Sequence, residues 1–192
     1  MTRRLAWVLL AAATALGLTA TWVAARRDRG ALPDGTGAEH AHAADASAAE
    51  TRVRVQLYFP SADGRLAVEP RELAGSADPS VLVARIVEGL LEGPRSERSL
   101  RPFPPEVTVG ETFLAADGIA YVDLRSPAHP APPFQGSTAE LLALYSLVNS
   151  VVENVDGARS LVVLWNGRQP RTFGGHIDTS RPLLPDPSLV AS

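Results

Sequence analysis

Between residues 52 and 60 the chain reads RVRVQLYFP, in which Val53, Val55, Leu57 and Phe59 alternate with Arg52, Arg54, Gln56 and Tyr58. A period of two puts the apolar set on one side and predicts a strand with one buried face. ADG then predicts a turn, and RLAVEPREL a second extended segment interrupted by Pro70. The period lengthens at DPSVLVARIVEGLLEGP. Asp78 is an N-cap residue, Pro79 suits the first helical position, and Gly93-Pro94 stops the helix. Leu82, Val83, Ile86, Val87, Leu90 and Leu91 fall on one face, with Arg85, Glu88 and Glu92 on the other.

After the proline-bearing RSERSLRPFPP, the stretch EVTVGETFLAADGIAYVDLRS predicts two strands joined at Asp117-Gly118, a favoured hairpin dipeptide. PAHPAPPFQGS is a proline-rich loop that cannot join a central strand. STAE opens a second helix, and its Ser137 and Glu140 have the spacing of a capping box. Leu141, Leu144, Tyr145, Val148, Val151 and Val152 form the stripe it should bury, and Asp156-Gly157 closes the unit. SLVVLWNG is almost wholly apolar before Asn166-Gly167, as an interior strand would be. The remainder, RQPRTFGGHIDTSRPLLP, reads as a glycine-hinged extended closing piece. The predicted architecture is α+β: a two-layer sandwich in which a small mixed sheet carries two helices on one face, in the order β-α-β-β-α-β.

The N-terminal pattern differs from all of this. Arg3 and Arg4 precede an uncharged run over residues 5–25, and Arg26, Arg27 and Arg29 follow it. Such a run can span a bilayer as a helix and exceeds the usual apolar core of a cleaved signal, about 7–15 residues. Trp7 and Trp22 would sit about 22 Å apart along it, as an interfacial aromatic belt requires. We read residues 1–27 as a transmembrane anchor with the rest extracytoplasmic (periplasmic or cell-surface). The alternative is a signal peptide cleaved near Val23-Ala24-Ala25, which would make the protein secreted. Residues 28–50, rich in Ala, Gly and acidic side chains and without apolar period, read as a disordered linker. His40 and His42, with Glu39 and Asp45 nearby, have the types of a loose metal site, but the tether reading is preferred. The folded domain is placed at residues 51–186, with 187–192 as a tail.

Composition removes several classes of function. With no cysteine there is no disulfide, no thiolate nucleophile and no lipoprotein attachment site. The formal net charge is -3 and the arginines form no basic block, so nucleic acid is not an expected partner. The chain has no Gly-x-Ser-x-Gly elbow, His-Glu-x-x-His or phosphate-binding loop.

Several stretches together resemble one family. VQLYFPSADGRL, VARIVEGLLEGP, GIAYVDLRS and the closing GGHIDTSRPL, in this order and spacing, are similar to the GerMN domain of sporulation and spore germination proteins. The resemblance covers residues 52–185 in a single copy. It departs from the pattern at Leu124, where an aromatic commonly follows the Val-Asp, and in the expanded proline-rich loop. It implies an extracytoplasmic, non-enzymatic domain related in shape to ring-building modules, with no catalytic residue, metal or cofactor to carry over. The expected role is a membrane-tethered scaffold or interaction module in a cell-envelope assembly connected with sporulation, germination or the cell wall. The expected partners are envelope or cell-wall proteins, a second copy of the chain, or peptidoglycan.

His176 and Asp178 in GGHIDTSRP are the residues that most suggest chemistry, since on an extended segment they share one side. A hydrolase would need a third partner, for which Asp123 and His129 are the candidates. The reading preferred here is structural: Gly174-Gly175 bends the backbone, and Asp178, Thr179 and Ser180 satisfy local amides. Asp123 and Arg125 share a strand face, read as solvated. Arg168, Arg171 and Arg181 could form a cationic rim near His176. A glycan-binding module, with Tyr58, Tyr121 and Trp165 stacking on sugar, is the alternative function. The candidate interaction surface comprises His129, Pro132, Pro133, Phe134, Arg171, His176 and Asp178, centred on the proline-rich loop.

Overall fold

The computed structural model describes residues 51–134 and 136–191; the anchor or signal segment and the linker lie outside the described residues. Among the described residues no helix is long and apolar enough to cross a membrane. The elements run β1 (Arg52–Pro60), β2 (Leu66–Ala74), α1 (Pro79–Glu92), β3 (Thr108–Leu114), β4 (Ile119–Arg125), α2 (Ser137–Val152) and β5 (Ser160–Trp165). A short 3-10 turn at Pro187–Leu189 follows.

The class is α+β with two helices, but the strands form two sheets where a single one was expected. β1 and β2 pair antiparallel, and β3-β4-β5 form a mixed sheet in which β4 runs parallel to β5. The extended segment after ADG is a full strand. Pro70 is tolerated there because the amides of Gln56 and Tyr58 point away from β2, which makes Gln56–Pro70 a non-hydrogen-bonded pair. The position without an N–H therefore faces the outer edge.

The division into two sheets has a cause distant in sequence. The outer edge of β1 is occupied by side chains of α2 and the residues just after it: Tyr58 N donates to Ser150 Oγ (2.9 Å) and Gln56 N to Asn154 Oδ1 (2.8 Å). Asn154 Nδ2 returns a bond to Gln56 O at 2.8 Å. Polar groups spaced i, i+4 thus substitute for a neighbouring strand and protect the edge. Ser80 of α1 does the same for β3, accepting from Leu114 N and receiving Thr112 Oγ1 at its carbonyl. Leu183 closes the edge of β5 through a reciprocal pair with Leu161.

The core follows the predicted apolar faces of β1 and α1 and part of that of α2, where Leu147, outside the predicted stripe, is buried and Leu141, inside it, is not in the core. Val55, Leu57 and Phe59 of β1 meet Val83, Ile86, Val87 and Leu90 of α1, Leu144, Leu147 and Val148 of α2, and Val122 and Leu124 of β4. α1 begins and ends as its caps predict: Asp78 accepts from Ser80 N at 2.8 Å, Pro79 opens the helix, and Gly93 ends it at φ 93. Asp117-Gly118 and Asn166-Gly167 both form turns, the latter with positive φ at both residues, 52 and 78. α2 is buried far beyond one stripe, with Leu142, Ala143, Ser146 and Asn149 also enclosed. Asn149 grips the backbone of Asp186 with both ends of its amide (3.0 and 3.1 Å), and Ala191 N donates to Leu66 O.

Candidate functional site

The first turn of α2 carries a fully buried carboxylate. Its N-cap is Gly136, which makes no side-chain cap bond, so the Ser137–Glu140 capping box expected from STAE does not form. Glu140 turns instead toward the closing segment. It accepts from the amides of Gly174 (2.8 Å), Ile177 (2.7 Å) and His176 (3.1 Å), and meets His176 Nδ1 at 2.8 Å. Burial by itself would raise this carboxyl, but the amides of Ile177 and Gly174 and the His176 ring and amide hold it below the usual carboxylate range. The charge also sits favourably at a helix N-terminus.

The segment it holds is a small hairpin. Phe173 N donates to Ile177 O, Thr179 N to Arg171 O, and Thr179 Oγ1 to Pro170 O. Gly175 has φ 107, which an L side chain rarely adopts. At Gly174 a Cβ would lie 3.0 Å from Phe134 Cβ and 3.1 Å from the Glu140 carboxyl carbon. Both glycines are therefore required for the chain to wrap the carboxylate, one for its dihedrals and one for the close approach.

The residues singled out from sequence do not converge on a reaction centre. His176 is bound to Glu140 and not to Asp178, with its own side chain half exposed. Asp178 accepts from Ser180 N (2.9 Å) and Oγ (2.6 Å), the local turn expected of it. Those two bonds, with Arg181 and Arg171 adding attraction, lower its carboxyl against a slight desolvation. Asp123 lies away from this hairpin on the outer face of β4, its own carboxylate buried while Arg125 on the same face is half exposed. There it receives Arg125 Nε and Gly167 N, each at 2.8 Å. His129 Nε2 pairs with Glu106 Oε1 at 2.8 Å. Arg168 closes the Asn-Gly turn through its backbone. Among the described residues no three His, Asp or Glu side chains are grouped to hold a metal ion.

The proline-rich loop is fixed to the domain. Trp165 Nε1 and Asn166 Nδ2 both donate to His129 O (2.8 and 3.1 Å), and Asn166 Oδ1 accepts from Ser126 N. Trp165 is buried and so cannot stack on a sugar. Phe134 turns inward, half buried, with its ring 5.4 Å from Phe173 and 6.1 Å from Phe103. Pro132 lies beside the Gly174-Gly175 tip. Loop and closing hairpin, 40 residues apart, thus make one continuous surface around the start of α2.

On the other side of that surface is an open, mainly apolar groove of about 770 Å³. Pro60, Leu100, Phe103, Pro133, Phe134 and Leu142 line it, and Leu100 is 52% exposed. Only Pro133 and Phe134 were expected in a contact surface. Leu100 and Phe103 lie in the connection RSLRPFPP, whose alternation of apolar side chains with prolines was the available signal. Glu140 was hidden because its spacing to Ser137 suggested a local role.

Residues 56–170, well over half of the chain, match the family model described as Germane: sporulation and spore germination. No curated protein matches the chain significantly. The first GerMN domain of the sporulation protein GerM from Bacillus subtilis is similar at 17% identity and a TM-score of 0.56, over 69% of this chain and 97% of that one. The tandem GerMN domains of the same protein align with a TM-score of 0.53 and 15% identity, over 70% of this chain and 46% of that one. A candidate lipoprotein from Clostridium perfringens, 19% identical, aligns with a TM-score of 0.50 over 73% of this chain and 93% of its own. The strand and helix order, the resemblance of the quoted stretches and the family match agree: the chain belongs to the Germane (GerMN) family of sporulation and spore germination domains.

Proposed function

We propose that this protein is a non-enzymatic, membrane-tethered interaction module on the extracytoplasmic side, which docks an extended apolar segment of an envelope or cell-wall protein in the groove beside α2. The observation that carries this reading is the contrast between two parts of one surface. His176 and Asp178 are engaged in holding the hairpin and His129 is paired with Glu106, while the adjoining concavity presents apolar atoms on a proline-stiffened frame. Prolines in the walls limit the entropy lost when a partner docks. An exposed leucine in an apolar, concave setting is the kind of anchor position that interfaces use. The family description, sporulation and spore germination, and the uncharged run over residues 5–25 support the envelope setting.

The test is a crosslinking pull-down of the full-length protein from its native membrane against Leu100→Glu, a change at an exposed side chain. Envelope proteins recovered by the wild type and lost with Leu100→Glu would support the groove. Equal recovery by both, or specific recovery by neither, would count against it.

One observation favours the glycan-binding alternative. Phe113, 57% exposed, and Tyr121 lie on the outer face of the β3-β4-β5 sheet with ring centroids 6.5 Å apart. Titration with soluble peptidoglycan fragments, wild type against Phe113→Ala, decides it: an affinity lost with the ring supports a sugar platform, and no binding removes it.

A further inference from the structure

Away from the groove, β1 and β2 carry a second concavity of about 530 Å³ lined by Arg52, Arg54, Pro70, Arg71, Glu72 and Arg95. With Arg71 already paired to Glu69, Arg52, Arg54 and Arg95 against Glu72 leave a local positive excess in a chain whose formal charge is -3. Arg52 and Arg54 are two apart on a strand, so both project from the same face, about 7 Å apart along it. Arg95 arrives from the loop after α1, and that loop is fixed: Glu69 accepts from Arg95 N (2.9 Å) and Ser96 N (3.2 Å). Arg71 is 4% exposed and held by Glu69 Oε2 and by Gly93 O at 3.1 and 2.9 Å, while its Nε has no hydrogen-bond partner.

Among the described residues, Arg52, Arg54 and Arg95 form no ion pair and their side chains make no hydrogen bond. Glu72 faces Arg54 across the ladder yet reaches none of them within ion-pairing distance. Arg71 pairs with Val55 and so lies on the core face of the ladder, over Phe59. The exposed set is Arg52, Arg54 and Arg95, three unpaired guanidinium groups from two segments that form donors without an acceptor.

We propose that this pocket binds a phosphate group. Guanidinium forks match phosphate oxygens in bidentate geometry. A tetrahedral phosphate offers oxygens toward several directions at once, which suits arginines converging from β1 and from the α1–β3 loop better than a planar carboxylate does. The group belongs either to a soluble phosphate ester or to an anionic lipid headgroup. Both sources present the same chemistry to the pocket.

The test uses full-length protein in neutral detergent, titrated calorimetrically with glycerol 3-phosphate, and the same protein in nanodiscs of phosphatidylcholine with or without phosphatidylglycerol. Hydrogen exchange over residues 52–56 is read in the discs. Binding of glycerol 3-phosphate identifies a soluble ester. Protection gained only with phosphatidylglycerol identifies a headgroup. In whichever arm responds, Arg52→Gln/Arg54→Gln weakens the response about tenfold or more, Glu72→Gln strengthens it, and Arg98→Gln, an exposed arginine outside the pocket, leaves it unchanged. No response to any probe, or an equal loss in Arg98→Gln, would overturn the proposal.

Discussion

Replacing Glu140 by glutamine preserves the volume of the side chain and removes its charge and one of its two acceptor oxygens. In the native site Oε1 takes the amides of Gly174 and Ile177, and Oε2 takes the amide and ring of His176. A glutamine oxygen can keep the first pair as neutral bonds, but its NH2 then faces the His176 amide, donor against donor. Hydrogen bonds to a charged acceptor contribute about 1.5–3 kcal/mol each and neutral ones about 0.5–1.5. The exchange therefore costs about 2–3 kcal/mol, which for a chain of this size lowers the melting temperature by about 5–10 °C. Glu140→Ala, which strands every donor, costs about 3–5 kcal/mol.

The pH dependence has a definite sign. Because the folded-state carboxyl is held below its ordinary value, its stabilisation is complete above the unfolded pKa of about 4.3. It is lost as the pH falls through the lower folded value. Glutamine removes that contribution. Thermal unfolding between pH 7 and pH 3, with hydrogen exchange over residues 172–178, reads both effects. A Glu140→Gln protein that melts with the wild type at pH 7 and protects the hairpin equally well would refute the account of this carboxylate.

Three further outcomes follow from the same geometry. Gly174→Ala places a Cβ within 3.0 Å of Phe134 and should destabilise by about 1–3 kcal/mol, read as a lowered urea midpoint. Asn154→Ala releases the β1 edge, so the amide of Gln56 should exchange faster at a cost of about 1 kcal/mol; unchanged exchange would mean that another group protects the edge. Trp165→Phe keeps an aromatic ring against Phe173 but loses the bond to the His129 carbonyl, so residues 126–134 should gain exchange while β5 does not.

The parts of the fold legible in the sequence are those with local causes. The alternation in β1, the caps of α1 and the Asp-Gly and Asn-Gly turns each depend on residues within one element, and each forms as expected. What was not legible depends on partners far along the chain. Glu140 finds its donors 34 to 37 residues away, and β1 finds edge partners 92 and 98 residues away in Ser150 and Asn154. A serine and an asparagine near the end of a helix carry no sign that they will stand in for a strand, so one expected sheet became two. The pair Gly174-Gly175 was read as a bend, which it is. That one glycine lies against a buried carboxylate could not be seen without the fold. The groove escaped notice for a similar reason, since its walls come from the turn after β1, the connection before β3, the proline-rich loop and α2.

The claim that the groove is the working surface is tested most directly by photocrosslinking from position 100 of the full-length protein in its native membrane, with position 113 on the opposite sheet face as comparator. The account predicts a discrete adduct with an envelope protein from position 100 and none from position 113. An adduct from position 113 alone, or none from either, would contradict it.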